Sequence, residues 1–127
     1  MKQVVLGTAR GQIVTCGVAD GFWSRLVGLM GRRGLGAGDG LLLSPCGTVH
    51  TGFMRFECDV VFLARDGEVL RVARRTPPWR LRRAPRRTRL VLELAAGEAA
   101  RVGLEPGTCA EPRDEIGRRL IAREARA

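Results

Sequence analysis

The 127-residue sequence contains no tyrosine, one histidine and a single lysine, and only 5% of it is aromatic. With so few rings available, leucine and valine have to fill most of a core. The longest apolar run, Val60 to Ala64, is far shorter than the ~20 residues of a membrane-spanning helix. The opening residues, MKQVVLGTARGQIV, lack the apolar stretch of a secretory signal, so a cytoplasmic protein with reduced thiols is expected. Cys16, Cys46, Cys58 and Cys109 include no C-x-x-C pair, which fits neither a zinc ribbon nor a dense disulfide framework. No Walker loop, G-x-S-x-G elbow or H-E-x-x-H helix occurs, which leaves those enzyme classes without support.

What the sequence has in excess is arginine. The formal net charge is +9, with 22 basic and 13 acidic residues. Between Arg71 and Arg89 stand nine arginines and no acidic residue, and outside that window thirteen basic residues meet thirteen acidic ones. The whole excess therefore sits in one segment. Such a stripe suits phosphate, an anionic lipid or an acidic protein. Its plain alternative is a solvated loop, with the preference for Arg over Lys set by genomic composition.

Gly and Pro punctuate the chain every eight to twelve residues, a spacing that favours short strands over long helices. Val4–Leu6 and Ile13–Cys16 read as opening strands around a turn at residues 9–11. Asp20 to Gly31 predicts an amphipathic helix: Asp20 is an N-cap, Phe22, Leu26 and Met30 recur at helical spacing beside Trp23 and Val27, and Gly31 stops it. Short strands follow at Leu41–Leu43, Asp59–Ala64, Glu68–Ala73 and Arg89–Leu94. The second of these does not alternate, so both its faces are expected to be covered. Asp66-Gly67 is a hairpin signal. Residues 80–88 read as a long basic loop or ragged edge strand, residues 97–102 as a helical turn, and Thr108-Cys109 as a last strand. The expected organisation is a single mainly-β domain over residues 1–112, either a jelly-roll-like β-sandwich or a partly open barrel, with a charged helical tail over 113–127.

Three stretches carry a resemblance. Arg25-Leu26-Val27-Gly28-Leu29-Met30-Gly31-Arg32 is similar to an R-x-x-G-L-M-x-R helix. His50-Thr51-Gly52-Phe53-Met54-Arg55-Phe56, with Asp59-Val60-Val61-Phe62-Leu63, is similar to H-T-x-x-M-R-F-x-x-D-V-V-F-L. The third is Leu90 to Gly97, with Pro106-Gly107 beyond it. In this order and spacing they resemble the uncharacterised bacterial and archaeal family called domain of unknown function 192, over about Val4 to Cys109. The resemblance implies a jelly-roll-type sandwich carrying the Asp20–Gly31 helix. It also implies pilus or secretion machinery as a partner, and it supplies no activity or cofactor. Glu57-Cys58 stands where Pro-Ile is common, and Gly52 where an aromatic is common.

The segment from Cys46 to Asp59 holds most of the reactive side chains. His50 is the sole imidazole, so a conventional hydrolase would use it as base, with Cys46 as nucleophile and Asp59 orienting the ring. Residues four apart on a strand lie about 13 Å apart, so that pair requires an intervening turn. A metal set of Cys46, His50, Cys58 and Asp59 is weighed against burial of the cysteines as small hydrophobes, and no metal or cofactor is expected. Asp59 opens a buried strand and needs partners, which Arg55, His50, Thr51 or backbone amides can supply. Alternatively His50, Thr51, Arg55 and Asp59 line a ligand cleft walled by Met54 and Trp79. Trp79 also reads as a plug over one end of the sandwich. Glu93 faces opposite to Leu92 and Leu94 and suits an Arg of the 71–89 segment. The leading expectation is a non-enzymatic binding module, with its ligand at the His50–Asp59 corner and Arg80, Arg82, Arg83, Arg86 and Arg87 as anion contacts. A thiol-based or hydrolytic enzyme and a nucleic-acid binder are the alternatives.

Overall fold

The first two strands set the pattern for the rest. The Val- and Ile-containing segments β1 (Lys2–Gly7) and β2 (Ile13–Ala19) pair antiparallel, with Val4 opposite Cys16 and Leu6 opposite Val14. These alternate positions are buried while Gln3 and Ile13 are exposed, as the two-residue period of a strand requires. The computed structural model describes residues 2–19, 38–43, 48–50, 57–77 and 81–126. For residues 2, 18, 19, 43, 48–50, 81–83 and 123–126 it describes the backbone alone. The expected helix over 20–31 lies outside the described residues.

β3 (Asp39–Leu43) runs parallel to β2, and β4 (Thr48–His50) is a separate three-residue strand. β5 (Cys58–Leu63) and β6 (Val69–Thr76) form a hairpin across the Asp66-Gly67 turn. Gly67 takes φ 87°, and a Cβ there would collide with the Ala110 carbonyl oxygen. β7 (Leu81–Arg83) pairs with β4. β8 (Leu90–Ala95) inserts between β5 and β3, and β9 (Glu111–Pro112) pairs with the outer side of β1. The main sheet has the order β6-β5-β8-β3-β2-β1-β9 and curls into a half-barrel, the partly open barrel of the two expected architectures.

Burial divides the sheet into two faces. Val4, Leu6, Val14, Cys16, Leu42, Val61, Leu63, Leu90, Leu92 and Leu94 form one core layer with Ala99, Val102, Leu104 and Ala110. Leu41, Cys58, Val60, Phe62, Ala73 and Val91 form the other, with Ala84 against them. Every residue of β5 is buried, so its lack of alternation does mark a strand covered on both faces. Glu93 points to the second face, opposite Leu92 and Leu94 as expected, and is fully buried. The 97–102 turn is α1 (Glu98–Val102), capped at both ends by left-handed glycines, Gly97 and Gly103. The expected strand at Thr108-Cys109 is a single bridge from Cys109 to Glu68, and the last strand falls two residues later, where the edge of β1 offers a ladder.

The charged tail folds into α2 (Glu115–Arg126) and docks through Leu120 and Ile121. Asp114 holds its start. One carboxylate oxygen accepts the Gly117 amide at 2.8 Å, and the other accepts the Val5 amide at 3.1 Å. A single side chain thus caps a helix and satisfies a donor on the edge of β1. Asp114→Ala is expected to cost about 1–2 kcal/mol and to release the Val5 amide to hydrogen exchange. Unchanged protection of Val5 would argue against this role.

Candidate functional site

Asp59 is the one member of the expected corner whose side chain is described. It opens β5 opposite a bulge in β6. Cys58 pairs with Thr76 and Val60 with Ala73, so Arg74 and Arg75 together oppose Asp59. Arg75 has φ 48°, the only positive value for a non-glycine among the described residues. The Asp59 carboxylate is fully buried and accepts three backbone amides: Arg75 at 2.9 Å, Gly97 at 3.1 Å and Ala99 at 3.0 Å. Thr76 closes the bulge by donating to the Ala73 carbonyl at 3.1 Å. Gly97 has no side chain to cap α1, so Asp59 supplies that cap from across the fold.

This arrangement bears on the chemistry considered for the segment. Of the donors expected for Asp59, backbone amides are the ones that bond it among the described residues. Cys58 lies in the second core layer while Asp59 faces α1, so neighbours in sequence point to opposite faces of β5 and do not converge on one ion. Among the described residues no three metal-ligating side chains cluster. Cys46, Thr51, Met54, Arg55, Trp79 and Arg80 lie outside the described residues. His50 is placed by its backbone, opposite Leu81 in the β4–β7 pair, with Thr48 opposite Arg83.

The described thiols differ in character. Cys16 is buried against the Val14 carbonyl, and burial, helped by Asp114 and Asp39, pushes its pKa up to about 12. Cys109 is exposed, its pKa raised by partial desolvation and then by Asp66, Glu68 and Glu111. Glu98 is held below its usual range by its hydrogen bond to Arg101, against partial burial, with the Gly38 amide helping.

A second constellation lies at the other end of β5. Asp59 and Ala64 are separated by five residues of strand, or about 17 Å. There Ala64, Arg65, Arg86, Arg87 and Arg89 line a half-open cleft of about 420 Å³. Two turns bring the arginines together. The β5–β6 turn is closed by bonds from Ala64 N to Glu68 O at 2.8 Å and from Gly67 N to Ala64 O at 2.9 Å. The β7–β8 loop is closed by Thr88 N to Pro85 O at 3.0 Å and tied to β5 by Arg89 N to Leu63 O at 2.8 Å. Among the described residues no carboxylate lines the cleft. Glu68 approaches Arg87 at 3.7 Å, with the Arg87 side chain well exposed and that of Glu68 half-buried, so screening by solvent keeps the pair's contribution to stability small.

Of the five expected anion contacts, Arg86 and Arg87 line this cleft. Arg82 and Arg83 are placed only by backbone, in β7. Arg89 closes the 71–89 segment but is not one of those five, and Arg65 is not anticipated by the sequence reading. Arg65 lies outside the 71–89 window, and its one sequence signal is its place just before the Asp66-Gly67 turn.

The uncharacterized ACR family model DUF192 matches residues 5–111. The chain belongs to this family. Among solved structures, a protein of unknown function from Novosphingobium aromaticivorans is 26% identical, with a TM-score of 0.73 over 86% of this chain and 83% of that one. A Sinorhizobium meliloti protein described as a candidate transcription regulator is 27% identical, with a TM-score of 0.74 over 91% of this chain and 93% of that one. No curated protein matches. No helix among the described residues is long and apolar enough to cross a membrane.

Two outcomes are expected from these side chains. Asp59→Ala strands three amides and should cost at least ~3 kcal/mol in urea unfolding, with Asp59→Asn costing less; a loss below about 1 kcal/mol would remove Asp59 from its structural role. The raised Cys16 pKa means that the unfolded chain releases this proton near 9.0 while the folded chain keeps it to about 12. Stability should therefore fall as pH rises across that window, and Cys16→Ala should flatten the slope. At pH 8, thiol reagents should modify Cys109 ahead of Cys16.

Proposed function

We propose that this DUF192 member is a non-enzymatic binding module that holds an anionic ligand in the Arg65–Arg86–Arg87–Arg89 cleft. The observation that carries the reading is convergence. Four arginines from two turns line one concavity, and no carboxylate lines it among the described residues. Like charges brought together repel, and an anion relieves that repulsion while taking up donors otherwise left to water. Both turns are fixed by backbone hydrogen bonds, so little ordering is required on binding.

The His50–Asp59 corner enters this reading differently from the arginines. Asp59 is committed to backbone amides, which weighs against a Cys46–His50–Asp59 catalytic set. β4, which ends at His50, pairs with β7, and β7 leads directly into the loop that carries Arg86, Arg87 and Arg89. The description of the Sinorhizobium protein as a candidate transcription regulator favours nucleic acid as a second reading. A salt titration separates the two, because a phosphate backbone releases many counterions and its affinity falls steeply in log salt.

The test is thermal unfolding with citrate, sulfate or phosphate, each matched to sodium chloride of equal ionic strength. At a hundred times the dissociation constant a bound anion adds about 2.7 kcal/mol of stability. The wild type should gain several degrees and the Arg86→Ala/Arg87→Ala variant should gain only what excluded salts give any protein. Equal shifts in the two proteins would remove the cleft as the site.

A further inference from the structure

Resting on the anion-binding reading, we infer that the cleft is built for a ligand carrying two or more adjacent phosphates, recognised through the phosphates alone. Four observations lead there. First, the positive groups are all arginines, whose planar forks present paired donors matched to the oxygens of a phosphate; a lysine site would present point charges instead. Second, the charges are concentrated. Four arginines line one concavity, and among the described residues Glu68 forms an ion pair with one of them, Arg87. A single monoanion leaves most of that charge uncompensated, whereas a phosphate chain brings several negative charges into one small volume.

Third, the volume of about 420 Å³ is near the lower end of small-molecule sites. It admits a short chain of phosphates and is small for a folded acidic partner. Fourth, among the described residues the lining is Ala64 and four arginines, with no aromatic ring, amide or hydroxyl side chain to read a base or a sugar. Selectivity then rests on phosphate number and spacing. A nucleic-acid strand sets its phosphates in a row and is best held by a track of charges, while these four arginines line a single small cleft. The chemistry is shared by inorganic oligophosphates and by the phosphate tail of a nucleotide.

Isothermal titration of the full chain tests this with four probes: tripolyphosphate, ATP, citrate and a short DNA duplex. Tripolyphosphate should bind at least ten-fold more tightly than citrate. The Arg86→Ala/Arg87→Ala variant should lose ten-fold or more, and Arg86→Lys/Arg87→Lys, which keeps the charge but not the forks, should fall between. Arg74→Ala removes an exposed arginine outside the cleft and should leave the affinity unchanged, which controls for net charge. ATP matching tripolyphosphate would support a nucleotide tail as the source, and ATP binding far more weakly would support a free oligophosphate. Citrate equalling tripolyphosphate would overturn the phosphate assignment while leaving an anion site intact. No cleft-dependent binding of any of the three small anions would overturn the anion site itself. DNA binding more tightly than tripolyphosphate, with a steep salt slope, would overturn the small-ligand assignment in favour of nucleic acid.

Discussion

A carboxylate sealed from water must be met by donors, and at Asp59 the three donors come from two places far apart in the sequence. One is the bulge of β6, where Arg75 adopts a left-handed backbone. The other is the start of α1, whose cap residue is a glycine. Removing a charged group from water is costly, and the cost is offset only when its lone pairs are well occupied. The bulge, the helix entry and the first turn of β5 are therefore mutually dependent. Each exists in its present form because the carboxylate binds the other two.

Asp114 repeats the device at the opposite border of the sheet. There the carboxylate joins the start of α2 to the outer edge of β1, just beyond its short ladder with β9. In both cases an orphan amide of a helix start and an amide of an irregular or incompletely paired strand share one acceptor. This deals with the two ends of an incompletely closed barrel, where unpaired backbone would otherwise invite other chains to add on. Gly117 permits the close contact of α2 with Pro112 and Val4 that the second joint requires.

Local signals in the sequence reached the elements but not their neighbours. β-branched runs marked β1, β2 and β5, the Asp66-Gly67 pair marked the hairpin, and the alternating charges after Pro112 marked α2. β8, by contrast, lies between β5 and β3, an adjacency no local pattern encodes. The partners of Asp59 are 16, 38 and 40 residues away. Backbone amides leave no mark in a sequence, so side chains such as Arg55 and His50 stood equally beside them as possible donors. The arginine segment was visible as a stripe, yet its concavity required Arg65. That residue joins Arg86, Arg87 and Arg89 only because β5 ends beside the start of β8.

The distance along β5 between the buried carboxylate and the arginine cleft has an evolutionary side. The guanidinium groups sit on turn positions that give no buried surface to either core layer. Replacements there change what the molecule attracts without disturbing how it folds. Such a layout lets the charge of that surface change one residue at a time, on a scaffold whose own requirements are met elsewhere.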